Sequence, residues 1–257
     1  MLPNSVRNYL SGVRTLHLFH GLSYPFTEDY LLHMELKGIS RLNPHVPKRA
    51  IPVTPKILML FHRLMNPDST LHCNVWACCL FLFFTLSRLG SMLPRSSSTS
   101  LKAFVTKDRV RFTKEGVLVT FLQTKTIQFG KRRLHVPLIR LNSIFCPVSA
   151  YLRADLGGSS GAAFTFKNKG RIAWLTVSKF IRTFRSILSK GGFKHAHLFT
   201  GHSFRRGGAT WAFQSGVSGE VIQVLGDWSS DAYKQYLEFS MQDRLNLAAL
   251  FAHKLGV

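Results

Sequence analysis

The sequence predicts an α+β protein, mostly α, with a small antiparallel three-stranded sheet set among its helices. Three observations carry that expectation. Apolar residues recur at helical spacing over most of the 257 residues. Residues 109–138 switch to a period near two, as strands do. A proline-rich stretch at 41–55 sets a short N-terminal piece apart from a remainder long enough to bury a sizeable core.

Taken in order, residues 4–22 place Val6, Leu10, Val13, Leu16 and Leu18 near helical spacing, with Asn4 or Ser5 to cap the start and Gly21 the end. A second short helix is expected over 28–37. Pro44, Pro47, Pro52 and Pro55 forbid a helix through 41–55, so that stretch reads as an extended linker with a domain boundary near residue 50. About fifty residues make a small independent core, so the first piece reads as a remnant or as a segment leaning on its neighbour. Helices are expected over 56–65 and 72–86. Three short strands follow at 109–112, 117–122 and 134–138, joined by Lys114-Glu-Gly116 and by a basic turn at 130–133. Helical patterns then return at 148–155, 176–189, 204–214, 219–225, 231–239 and 241–254.

Lys and Arg total 34 against 12 Asp and Glu, a formal charge of +22. A chain so charged repels itself unless a polyanion is near, and a phosphate backbone is the commonest such partner. Ribosomal and histone-like proteins share the charge but rarely the 46% hydrophobic and 12% aromatic content, so the positive charge here sits on a cored globular protein. The longest apolar run, residues 75–86, falls short of the ~20 residues of a membrane span. Arg7 and Arg14 are not followed by a continuous apolar stretch, so no signal peptide is expected. Cys73, Cys78, Cys79 and Cys146 show no framework spacing and read as reduced, buried thiols of an intracellular protein. Neither they nor His195 and His197 match paired metal-ligand spacing, so no metal is expected.

Four segments concentrate candidate chemistry. In Thr85-Leu-Ser-Arg88-Leu-Gly an arginine ends an apolar helix, either as a plain terminus or as a charge that needs an anion. In Leu122-Gln-Thr-Lys125-Thr-Ile-Gln-Phe-Gly130 a lysine leaves a strand, which alone is a weak signal. In Gly201-His202-Ser-Phe-Arg205-Arg206-Gly-Gly, His202 and Arg205 share a face if His202 begins a helix, and a helix start favours phosphate. A capped helix with a solvated basic face explains the same pattern. Leu225-Gly-Asp-Trp228-Ser-Ser-Asp-Ala-Tyr233-Lys-Gln-Tyr236 leads through a small turn into a helix with two tyrosines, which packing could also explain.

In this order the four segments resemble the tyrosine recombinase (phage integrase) family over roughly residues 50–257. TKTIQFGKRRLHVPL followed by CPVSAYL, and LGDWSSDAYKQYL, look like the recombinases of eukaryotic Crypton and DIRS-type mobile elements. SVRNYLSGVRTLHLFHGL resembles the end of that family's helical core-binding domain, without its first helices. The resemblance implies a truncated helical, SAM-like core-binding domain and linker over 1–50, then a tyrosine recombinase catalytic domain over 51–257.

The resemblance also implies roles. Tyr236 would attack the scissile phosphorus and form a 3′-phosphotyrosyl link. Arg88 and Arg205 would hold the non-bridging oxygens. Lys125 would protonate the leaving 5′-oxygen, and His202 would handle protons and bind phosphate. Trp228 is the expected occupant of the family's His/Trp slot. That residue usually follows Leu-Gly directly, however, and Asp227 stands there, so the choice between the two is open. Ser91 stands where an acidic residue often follows the first arginine. Two arginines and a lysine supply the positive charge, so neither metal nor small-molecule cofactor is implied. The implied partner is double-stranded DNA, bound by a homotetramer during synapsis, away from membranes and in the nucleus, or simply inside the cell if the source is prokaryotic. The alternative is a domesticated or truncated element product that binds DNA with little or no recombinase activity.

Overall fold

A computed structural model describes residues 3–26, 29–42, 50–128, 132–158, 160–237 and 241–254. The chain divides into two compact units, Met1–Arg49 and Ala50–Val257. The first holds α1 (Pro3–Phe19) and α2 (Tyr30–Leu42), which touch each other. None of the described side chains of this unit is buried. Helix α2 starts two residues later than expected, where the Asp29 carboxylate accepts from the Leu32 N–H at 2.9 Å. It also runs five residues further, through Gly38, which costs a helix only about 1 kcal/mol. Ser40 donates back to the Leu36 carbonyl at 2.8 Å, so the expected linker is helical at its first two positions. Residues 43–49, with Pro44 and Pro47, lie outside the described residues.

The second unit is organised around one helix. Helix α4 (Thr70–Thr85) is capped by Ser69 and buries twelve of its sixteen residues, on every face. Its one buried amide is fully used. Asn74 Nδ2 donates to the Ala154 and Thr70 carbonyls at 2.8 and 3.0 Å, and Oδ1 accepts from Thr165 N–H at 3.1 Å. Around it pack α3 (Pro55–Leu64), α6 (Pro147–Ala154), α7 (Val177–Lys190) and α8 (Gly201–Gln214). Pro55, expected at the end of the linker, is instead the first residue of α3, where its missing N–H costs nothing and Thr54 supplies the cap. All four cysteines are free and buried.

The expected sheet forms from β1 (Val110–Phe112), β2 (Gly116–Phe121) and β3 (Leu134–Ile139), antiparallel in the order β1-β2-β3. The register sets Val119 opposite both Val110 and Val136, which places the buried valines on the core face. Of the turn expected at 130–133, residues 130 and 131 lie outside the described residues. A second hairpin was not foreseen: β4 (Thr165–Asn168) pairs with β5 (Arg171–Trp174). Its two turn residues, Lys169 and Gly170, have φ of 48° and 79°, the left-handed pair that matches the twist of a two-residue hairpin.

Short α5 (Leu89–Met92), α9 (Gly219–Leu225) and α10 (Met241–Lys254) complete the helices. The helix expected at 231–239 is a tight 3-10 helix over Asp231–Tyr236, capped by Ser230 and closed when the Leu237 N–H bonds the Lys234 carbonyl. Among the described residues no helix is long and apolar enough to cross a membrane.

Helix α8 begins three residues before the expected 204–214. Thr200 caps it by accepting from the His202 N–H, and the Ser203 hydroxyl accepts from the Thr200 N–H at 2.9 Å. Its Gly207-Gly208 pair is a packing requirement. A Cβ at Gly207 would stand 1.9 Å from the Val53 carbonyl oxygen, and one at Gly208 2.1 Å from that of Phe83. Both neighbours are backbone and cannot rotate away. Gly207→Ala is expected to lower stability by on the order of 1–3 kcal/mol in chemical denaturation. An unchanged midpoint would show that the two segments part at no cost.

Candidate active site

Helix α4 ends where Leu86 takes a left-handed conformation, φ 50°, and turns the chain. Thr85 Oγ1 donates to the Phe81 carbonyl at 2.7 Å and lies 2.9 Å from Ser87 Oγ, which pins the turn from inside. Arg88 therefore does not end α4, as the sequence suggested. It comes after the turn, as the N-cap residue of α5, half-buried.

That turn also serves the second arginine. The Leu86 carbonyl accepts from Arg205 Nη1 at 2.5 Å. Arg205 is only 2% exposed, and its guanidinium lies 3.6 Å from the centre of the Trp228 ring. Its Nη2 is buried with no partner among the described residues. Burial first, and then Arg88, lowers the Arg205 pKa to about 9, against opposing pulls from Tyr236 and Asp227. The guanidinium stays charged at neutral pH, with one donor unused.

Trp228 holds the two ends of this stack together. It is buried, and its ring centre lies 5.8 Å from that of Tyr236 and 6.2 Å from that of Tyr233. The ring folds back over Gly226, where an added Cβ would stand 1.6 Å from a ring atom. Gly226 is therefore what lets Trp228 reach Arg205. Tyr236 ends the 3-10 helix and is half-buried, and its carbonyl accepts from Thr210 Oγ1 on α8 at 2.5 Å. Tyr233 is buried, with its hydroxyl wedged against the start of α9 at Gly219.

Lys125 sits exposed in the turn after β2, and His202 is exposed in the first turn of α8. Both line an open cleft of about 570 Å³ with Arg88, Ser91, Arg95 and Gly201. A narrow crevice, lined by Arg88, Ser91, Arg205 and Asp227, borders the same residues. The His202 pKa is lowered from its ordinary 6.5 by partial burial and then by Arg205, Arg88 and Lys125. Among the described residues no group of three or more His, Cys, Asp or Glu could hold a metal ion.

The six residues nominated from sequence thus form one connected region. Arg88, Lys125 and His202 border the cleft, Arg205 shares the crevice with Arg88, and Trp228 lies between Arg205 and Tyr236. Sequence reasoning missed Arg95, which carries no pattern. It also missed the partners of Asp227, which lie 95 to 103 residues away along the chain.

The chain matches XerA recombinase at 18% identity over 98% of this chain and 83% of that one, with a TM-score of 0.54. The fold is that of the tyrosine recombinases. The recombinase fold recurs in the XerH site-specific recombinase bound to palindromic difH substrate in a post-cleavage complex, at 16% identity and TM-score 0.56, over 83% of this chain and 57% of that one. It recurs again in lambda integrase(75-356) bound as a dimer to a COC′ core site, at 14% identity and TM-score 0.52, covering 95% and 81%. The chain therefore spans less than two thirds of the XerH chain. No family model matches, and no curated protein matches in sequence. At these identities the likeness is one of fold.

Proposed function

We propose that this protein cuts and rejoins double-stranded DNA through a 3′-phosphotyrosyl intermediate on Tyr236. The observation that carries the reading is Arg205: a cation buried with an unused donor, stacked on Trp228 beside Tyr236, and facing a second arginine. Like charges brought together and desolvated are costly, and an anion between them removes the cost. A phosphodiester offers two non-bridging oxygens for Arg88 and Arg205.

The Tyr236 oxygen attacks phosphorus and loses its proton, for which His202, its pKa lowered by partial burial and then by Arg205, Arg88 and Lys125, is the proposed acceptor. The P–O5′ bond breaks, and the 5′-oxygen takes a proton from Lys125 and leaves as a hydroxyl. The bond energy is stored in the phosphotyrosyl ester, so a 5′-hydroxyl attacking it reverses the sequence and rejoins DNA. The positive charge needed in the transition state comes from Arg88, Arg205 and Lys125. On this reading cleavage persists in excess chelator. A duplex nicked near the scissile phosphate, so that the freed piece diffuses away, should leave a protein–DNA adduct. DNA binding without any adduct would favour the alternative, a DNA-binding protein without recombinase activity.

The spellings TKTIQFGKRRLHVPL and LGDWSSDAYKQYL support a source in a eukaryotic mobile element, and with it a nuclear location. Helix α10 supports assembly. Leu245, Ala248 and Ala252, on its more apolar side, are exposed, which suits docking on a neighbouring protomer in a synaptic tetramer.

Two expectations test the DNA partner. With a net charge of +22, affinity should fall steeply with salt, and displacing six counterions gives a log–log slope of about −5. A slope near zero removes the polyanion. His202 adds a pH effect whose sign follows from its neighbours. Partial burial first, and then the cations around it, hold its pKa below 6.5 in the free protein, and a bound phosphate opposes the cations' share of that shift. Phosphate contact is therefore expected to raise the His202 pKa, so that binding takes up a proton and affinity rises as pH falls from about 7 to about 6. His202→Gln should flatten that rise in titrations at the two pH values.

A further inference from the structure

Asp227 is an acidic residue buried inside an otherwise cationic site. It is 8% exposed, and its backbone holds a φ of 55°, a left-handed conformation that non-glycine residues rarely adopt. Such a conformation persists only where the surroundings enforce it. The surroundings here are the two arms of the β2–β3 hairpin. From the arm leaving β2, Thr124 Oγ1 donates to the Asp227 carboxylate at 3.1 Å, and Thr126 Oγ1 donates to the same carboxylate oxygen. The Thr126 hydroxyl also lies 3.2 Å from the Asp227 carbonyl oxygen. From the arm leading into β3, Arg132 forms an ion pair with the other carboxylate oxygen.

Between the two threonines stands Lys125. The turn that carries it is folded on Thr124, whose Oγ1 accepts from the Thr126 and Ile127 N–H groups at 3.2 and 3.0 Å. Ile127 anchors the far side in the core at 1% exposure. Asp227 itself lies directly before Trp228, the ring on which Arg205 rests. One carboxylate thus joins the lysine turn to the segment that leads to Tyr236.

We propose that Asp227 is a positioning residue, a latch that docks the Lys125 turn beside the Trp228–Tyr236 segment so that proton donor and nucleophile are presented together. The proposal rests on the DNA-cleaving reading for its function, and on hydrogen bonds alone for the latch. It also gives a physical reason for an aspartate directly after Leu225-Gly226: an aromatic or imidazole side chain there could not accept from two hydroxyls and a guanidinium at once.

Asp227→Asn keeps the size and tolerates the same backbone conformation, while removing the charge that holds Arg132. Thr126→Val removes one hydroxyl at constant shape. Two readouts separate the claims. Hydrogen exchange of the 124–127 amides in the DNA-free protein should quicken at least tenfold in both variants. Cleavage should then be measured on two duplexes, one with the natural 5′-oxygen and one with a 5′-bridging sulfur, whose thiolate leaves without needing a proton. Both variants should slow at least tenfold on oxygen and stay within about threefold of the parent on sulfur, as Lys125→Ala should.

Unchanged exchange overturns the latch. Faster exchange with equal losses on both duplexes overturns the positioning role, because the damage is then general. A parent protein that cleaves neither duplex overturns the DNA-cleaving reading instead, and exchange still decides whether Asp227 holds the turn.

Discussion

Tyr236→Phe should bind duplex DNA with an affinity within about twofold of the parent and form no covalent adduct on a nicked substrate. The hydroxyl is the only group lost, and without its oxygen no ester to phosphorus can form. The ring remains, so its packing 5.8 Å from Trp228 is kept. Tyr233→Phe should behave in the opposite way and keep the adduct. Tyr233 is buried with its hydroxyl against the start of α9, whereas Tyr236 is half-buried beside the Arg205 stack. The readout is a gel that separates free protein from protein–DNA adduct. An adduct that survives in Tyr236→Phe and disappears in Tyr233→Phe would reverse the assignment.

The second large effect belongs to Arg205→Met. Removing a preorganised donor to a developing negative charge typically costs on the order of 10²–10³ in rate, and Arg205 is expected to reach the upper end. Folding should respond far less. In the free protein this guanidinium is desolvated, opposed by Arg88, and leaves one nitrogen unpaired. A methionine removes the buried charge but also the bond to the Leu86 carbonyl and the contact of the charge with Trp228, so the two effects offset and thermal stability should stay within about 1 kcal/mol of the parent. Rate and melting temperature measured on one preparation test the pair. A variant that loses activity only because it melts would make Arg205 structural.

The fold class was legible because its signals are local. Period-two patterning at 109–138 and helical spacing elsewhere follow from which face each element buries, and the sheet formed as expected. The β4–β5 hairpin was hidden because its strands are four residues long and alternate poorly, with Ile172 on an exposed face. Its Lys169-Gly170 turn was the available sign. Within the candidate site, the residues that end up near one another were legible from motif order. Their environments were not. Nothing in His-x-x-Arg says that Arg205 is buried while His202 is exposed, because that difference comes from Trp228 folding back across Gly226. The sequence offers Asp227 only as an occupant of the His/Trp slot, yet its surroundings in the structure are Thr124, Thr126 and Arg132, far away along the chain.

The all-round burial of α4 has a consequence during translation. Helix α4 emerges from the ribosome early in its domain, yet a covering element such as α8 ends at Gln214, 129 residues after Thr85. At ~5–20 residues per second the nascent chain carries this apolar helix only partly covered for on the order of ten seconds. No solvent-facing stripe shields it in the meantime, since Val75, Trp76, Leu80, Phe81 and Leu82 point to every side. Synthesis of this protein therefore places a sticky segment beside its neighbours on a polysome, and its yield should depend on chaperone supply and growth temperature more than its final stability suggests.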